Sequence, residues 1–187
     1  TLVNLKHPHI VQILDFGMQG KTPFLVMEYA PRGTLSQLHP KGSRLSMATI
    51  IKYTQQVASA LQYAHDRRLI HRDIKPENIL IPQEDYRLMI TDFGIARALE
   101  PGARVGKTIT VRGTVGYMAP EQSSGIVDPR SDQYGSAVVL YEMLSGYHPI
   151  DPRGGAIPPV STLNESLPPT LDNVLQRALA TRPENRY

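Results

Sequence analysis

The sequence predicts an α+β chain. Apolar runs of strand character occupy the first thirty residues, and three- and four-residue helical spacing dominates after residue 46. The polar residues that carry chemistry fall on the loops between. The 187 residues, 41% hydrophobic and 20% charged, suffice for one domain. A domain of that size buries roughly 70% of the surface its unfolded chain exposes.

Ile10 to Leu14 and Phe24 to Tyr29 read as two strands, joined by a turn over Asp15-Phe16-Gly17-Met18-Gln19-Gly20. Pro31-Arg32-Gly33 breaks the second run as a hinge. Ser46 caps a helix from about Met47 to Asp66, in which Ile50, Ile51, Thr54, Val57, Ala58, Leu61 and Ala64 form one buried stripe. Ile79-Leu80-Ile81 and Leu88-Met89-Ile90 flank a polar turn as short strands. Pro101 to Gly116 lacks periodicity and reads as a loop. Ser131 caps a helix from Asp132 to Ser145, closed by Gly146. A Pro-rich connector, Pro149 to Pro169, leads to an amphipathic helix carrying Leu171, Val174, Leu175, Ala178 and Leu179.

Composition removes several classes of function. There are no cysteines, so disulfides, thiolate metal sites and a cysteine nucleophile are excluded. A net charge of +3, with no basic run of five or more, reads as a solvated surface and argues against a nucleic-acid partner. No apolar run approaches the roughly 20 residues of a membrane helix, and no signal peptide is visible. The absence of cysteines fits a cytoplasmic domain. The start at Thr1, in mid-pattern, reads as that of a fragment.

The most informative stretch is His71-Arg72-Asp73-Ile74-Lys75-Pro76-Glu77-Asn78, followed by Asp92-Phe93-Gly94 and then Ala119-Pro120-Glu121. Taken singly, each has an ordinary explanation: a surface ion pair, a turn, a residue ahead of a strand. Asp15-Phe16-Gly17 reads as such a plain turn. Together, in this order and spacing, they supply what phosphoryl transfer requires. Its loose transition state asks the protein for positioning and charge stabilisation. Asp73 is the candidate base, and Lys75, two residues on, points in an extended loop toward the γ-phosphate. Asn78 and Asp92 offer the hard oxygens that Mg²⁺ prefers, with Mn²⁺ as an alternative.

These motifs, with GTVGYMAPEQ, SDQYGSAVVLYEMLSG and the terminal ALATRPENRY, resemble eukaryotic-type protein kinases, most closely the bacterial serine/threonine branch. The resemblance covers almost all of the chain. It implies a protein-kinase-like fold: residues 1–30 as a remnant of the N-terminal lobe and 31–187 as a truncated, mostly helical C-terminal lobe. It implies ATP and Mg²⁺ as cofactors and proteins with Ser or Thr hydroxyls as substrates. Lys75 and the Gly113-Thr114 segment resemble the Ser/Thr rather than the tyrosine branch, with Thr114 holding Asp73 and Lys75.

By the same resemblance, Met27 is the gatekeeper, the backbone of Glu28 and Ala30 binds adenine, and Leu80 floors it. His71, Phe93, Ile13 and Leu2 form a regulatory stack. Glu121 and Arg186 form a buried ion pair. Asp132 accepts hydrogen bonds from the backbone of the 71–78 loop. Arg72 is placed to bind a phosphate on Thr108 or Thr110, Thr108 being favoured.

The chain also departs from the family. The 187 residues contain no Gly-rich loop, no third-strand Lys and no partner Glu for it, and are expected alone to turn over ATP slowly or not at all. Asp151 to Ile157 is too short for the family's usual docking helix. The end at Tyr187 is expected to leave Leu175 and Leu179 exposed. Bacterial relatives are often tethered by a membrane helix beyond the kinase domain. Two other readings compete: a pseudokinase-like binding module, and a small-molecule phosphotransferase. Intact Asp73, Lys75, Asn78 and Asp92 weigh against the first. The Thr-rich segment ahead of Glu121 weighs against the second.

Overall fold

A computed structural model describes residues 5–82, 87–93, 116–150 and 155–187. Strands β1 (Ile13–Gln19) and β2 (Thr22–Met27) form an antiparallel hairpin. The predicted joining segment Asp15–Gln19 lies inside β1: Asp15 pairs with Val26 and Gly17 with Phe24. The turn is tighter than expected and is made at Gly20, whose φ of +64° a glycine adopts without Cβ strain. The Asp15-Phe16-Gly17 triplet is therefore strand, not turn. Leu14, Phe16, Met18, Phe24 and Val26 of the hairpin are exposed.

Thr34 opens the short helix α1 (Leu35–Leu38): its hydroxyl accepts from Gln37 N and the Gln37 side chain reaches back to Thr34 N. Helix α2 spans Met47–His65 behind the Ser46 cap. Its buried positions are Ile50, Tyr53, Gln56, Ala60, Leu61 and Ala64, whereas Ile51, Thr54 and Ala58 are exposed. The stripe is thus narrower than predicted and turned toward Tyr53 and Gln56. Gln56 takes a core position because its Oε1 accepts Leu88 N at 2.6 Å.

Strands β3 (Ile79–Leu80) and β4 (Met89–Ile90) pair antiparallel, and the 9–11 segment adds on through Val11 N to Ile90 O and Ile90 N to His9 O. Helix α3 (Pro129–Ser145) is capped by Asp128, whose side chain accepts Arg130 N at 2.7 Å. It starts three residues before the predicted Asp132, because Pro129 occupies the first turn, where its missing N–H is not needed. Ser131 is not the cap; its hydroxyl donates to Glu121 Oε1. Helix α4 (Val160–Leu163) interrupts the Pro-rich connector, and α5 covers Thr170–Ala178.

One hydrophobic cluster joins α2, β3, β4, Ile74 and Phe93; a second joins α3, α4 and α5. Leu175 and Leu179 lie in the second, 3% and 6% exposed, packed with Val160 and Leu167. The expectation that they would be exposed is overturned, because α4 and the 164–169 segment fold over that face.

Candidate active site

Everything at the site is hung on Asp132, 1% exposed in the first turn of α3. Its Oδ2 accepts His71 N–H at 2.8 Å and its Oδ1 accepts Arg72 N–H at 2.7 Å. His65, at the end of α2, brings Nε2 to 2.8 Å from the same Oδ2. One carboxylate therefore ties two helices to the 71–78 loop.

The His71 ring is fully buried. Nε2 lies 2.7 Å from the Thr91 carbonyl, a pure acceptor, so Nε2 carries the proton and donates. Nδ1 then accepts Asp73 N–H at 3.2 Å. Burial lowers the pKa of His71 below its ordinary value, against the opposing pull of Asp132, the Thr91 bond, Asp73 and Asp92. Its ring sits 4.6 Å from that of Phe93. Phe93 and Ile13 line one small pocket with Met27.

The Asp73 carboxylate is divided. Oδ2 receives Lys75 Nζ at 2.7 Å and Asn78 Nδ2 at 2.9 Å, whereas the buried Oδ1 has no hydrogen-bond partner among the described residues. Asn78 Nδ2 also donates to the Asp73 carbonyl at 2.8 Å. With both amide protons committed, Asn78 turns its carbonyl oxygen to the opposite side of the planar group. Asn78 directly precedes β3, and Thr91, directly after β4, donates its N–H to Asn78 O at 3.0 Å, so Asp92 is the next residue along from that bond. Asp92 is exposed, in the left-handed region at φ +63°, a conformation Asp adopts more readily than most residues. An amide oxygen and a carboxylate suit Mg²⁺, which takes few protein ligands because it keeps waters and phosphate oxygens. Among the described residues there is no cluster of three or more His, Asp or Glu placed to hold a metal.

At the positions the resemblance assigns to adenine, Met27 ends β2, and its sulfur accepts from Thr91 Oγ1 at 3.8 Å. Glu28 N donates to Gln12 O, the Ala30 carbonyl accepts from Gly33 N, and half-buried Leu80 bridges to Thr34. Arg186, 3% exposed, clasps Glu121 bidentately at 2.7 and 2.8 Å and donates further to the carbonyls of Ala180, Arg130 and Thr181. Burial opposes ionisation of Glu121, but Arg186 and Ser131 outweigh it and hold the pKa below the usual carboxylate value. Tyr117 donates to Glu142 at 2.6 Å; burial, then that bond, push its pKa up. Leu2, Thr108, Thr110 and Thr114 lie outside the described residues.

The sequence analysis missed His65 and Gln122. Gln122 Nε2 donates to Arg72 O, and its Oε1 accepts Ala119 N, both at 2.9 Å. The signal for Gln122 is local, a Gln three residues after the residue it bonds. His65 has none, since its partner is 67 residues away.

The chain matches the protein kinase domain family across residues 1–186. It belongs to that family. It is 37% identical over 195 residues to a probable serine/threonine-protein kinase of Clostridium acetobutylicum, covering 98% of this chain and 29% of that protein. It is 38% identical over 199 residues to the serine/threonine-protein kinase PknB of Mycobacterium leprae, covering 98% of this chain and 32% of that protein. It is 34% identical to PrkC of Bacillus subtilis, covering 98% and 30%. The chain thus spans about a third of the length of these relatives. A crystal structure of Rad53 1–466 in complex with AMP-PNP superposes with a TM-score of 0.73 at 26% identity, over 99% of this chain and 49% of that one. The protein kinase fold is therefore shared. No described helix is long and apolar enough to cross a membrane.

Proposed function

We propose that this chain carries the catalytic groups of an ATP-dependent serine/threonine protein kinase, acting in the cytoplasm and, in a longer protein, alongside a membrane tether. Residues 1–30 serve as part of the upper lobe and 31–187 as the lower. The observation that carries the reading is the divided carboxylate of Asp73. One oxygen is fixed by Lys75 and Asn78, and the other is buried and has no partner among the described residues. That second oxygen accepts the proton of a substrate Ser or Thr hydroxyl. The hydroxyl oxygen forms its bond to the γ-phosphorus as the bond to the β-bridging oxygen breaks and ADP departs. Lys75 swings its ammonium between Asp73 and the γ-phosphate. Asn78 and Asp92 would hold Mg²⁺, which when bound would neutralise the phosphate charge. Met27, Leu80 and the backbone at Glu28 and Ala30 receive the adenine, and Thr114 steadies Asp73 and Lys75.

Arg72 Nε is buried with no partner among the described residues. It is suited to a phosphate on Thr108, or on Thr110, which would switch the site on. The four intact polar residues favour catalysis over a purely binding role.

The test is transfer of label from γ-labelled ATP to a Ser/Thr protein by the chain fused behind a kinase's Gly-rich loop and Lys-bearing strand. The fusion is expected to label Ser and Thr and the Asp73→Asn fusion to label neither. The 187 residues alone are expected to fall about a hundredfold or more below the fusion. Equal labelling by the Asp73→Asn fusion contradicts the assignment of the base.

A further inference from the structure

Arg72 is held at φ +70°, in the left-handed region, which long-chain residues rarely adopt. Such a conformation is strained and persists only when its surroundings over-determine it. Both peptide groups flanking Arg72 are pinned. Its N–H goes to Asp132 Oδ1 at 2.7 Å. Its carbonyl accepts from Gln122 Nε2 at 2.9 Å. That carbonyl belongs to the Arg72–Asp73 peptide plane, whose N–H is the one bonded to His71 Nδ1 at 3.2 Å. The plane that delivers Asp73 is therefore clamped at its oxygen by Gln122 and at its nitrogen by His71.

Gln122 is fastened in turn. Its Oε1 accepts Ala119 N at 2.9 Å, and it sits in the 3₁₀ turn Pro120–Ser124, beside the Glu121–Arg186 pair. A single amide thus couples the turn following the 94–115 segment to the backbone of the candidate base.

We infer that Gln122 is a positioning residue: it fixes the orientation of the Arg72–Asp73 peptide, and so the aim of the Asp73 carboxylate, by donating to the Arg72 carbonyl. The inference rests on the phosphotransfer reading for its consequence but not for its geometry. An amide is required because one group must accept from Ala119 N while donating to Arg72 O. A carboxylate accepts but cannot donate until it is protonated, and a thioether of similar length does neither usefully.

The experiment compares Gln122→Glu and Gln122→Met with the parent chain by NMR, following the Arg72 carbonyl ¹³C shift and amide exchange at Asp73 and Ala119 between pH 7.5 and 4.5. Thermal unfolding checks that each variant is folded. In Gln122→Met both amides should exchange about tenfold faster or more, and the Arg72 shift should move at every pH. In Gln122→Glu the Ala119 amide should stay protected, while the Arg72 shift is displaced at neutral pH. That shift should return toward the parent value as the introduced carboxyl takes up a proton and donates. Recovery on acidification in the Glu variant alone is something general loosening of the fold does not produce. An Arg72 shift unchanged in both variants, or one that moves identically with pH in both, overturns the inference.

In the labelling assay both variants at neutral pH should lose about tenfold or more in kcat with KM for ATP little changed. Undiminished kcat in both variants also overturns it. If the parent fusion itself transfers no phosphate while the NMR signature appears, the clamp stands and the phosphotransfer reading falls.

Discussion

At the scale of single residues, His71 links protonation to the geometry of the site. Its neutral ring uses both nitrogens, donating to Thr91 O and accepting from Asp73 N. A second proton has to go to Nδ1, which breaks the bond to Asp73. Because burial lowers the folded pKa below the ordinary histidine value of 6.5, the unfolded chain takes up a proton that the folded chain refuses. The stability this provides is complete above pH 6.5 and is lost as pH falls through the folded value. His7 and His39 are lowered in the same sense by burial, so the slope belongs to all three. Urea midpoints measured between pH 7.5 and 5 should fall with pH, and His71→Leu should flatten part of that slope. An identical slope in the variant removes His71 from the account.

The ion pair of Glu121 and Arg186 is the other residue-scale lever. Arg186→Met leaves a buried carboxylate without its clasp and should cost about 3–5 kcal/mol. Glu121→Gln, which keeps a hydrogen-bonding side chain but strands the guanidinium, should cost a similar amount. Denaturant unfolding checks both, and a loss below about 1 kcal/mol in each contradicts a buried pair.

At the scale of elements, the start of α3 matters because Asp132 sits in its first turn. Asp128→Ala removes the cap and should cost about 1 kcal/mol. Ser131→Ala should cost about 1.5–3 kcal/mol by a different route, loss of a hydrogen bond to the buried Glu121 carboxylate. If Ser131 were the cap, the Asp128 variant would be nearly neutral in the same unfolding experiment.

The errors of the sequence reading at this scale have physical causes. Ser131 and Asp128 are both competent caps, and only Pro129 between them separates the possibilities. The Asp15–Gln19 run is polar and Gly-containing, so it imitates a turn; cross-strand pairing with β2 decides otherwise. On α2, Gln56 is buried and Ile51 exposed because Gln56 satisfies Leu88 N, a tertiary contact invisible in periodicity. The 71–78 loop was legible because its polar residues are contiguous. Gln122 and His65, which support that loop from elsewhere, were not.

At the scale of the whole molecule, two cores meet at the 71–78 loop. One carries β3, β4 and Phe93, the other carries α3. Asp132 and His65 fasten them together, beside the Asp73–Asn78 hydrogen bond. The fold belongs to the protein kinase family, and the proposed role of this junction is to hold a magnesium nucleotide. The most direct measurement is paramagnetic broadening by Mn²⁺ in the presence of ATP on the isotopically labelled chain, which needs no turnover. The account predicts broadening strongest at the Asn78 side-chain amide and the Asp92 backbone amide, and largely lost in Asp92→Asn. Broadening centred elsewhere, or unchanged in that variant, would contradict it.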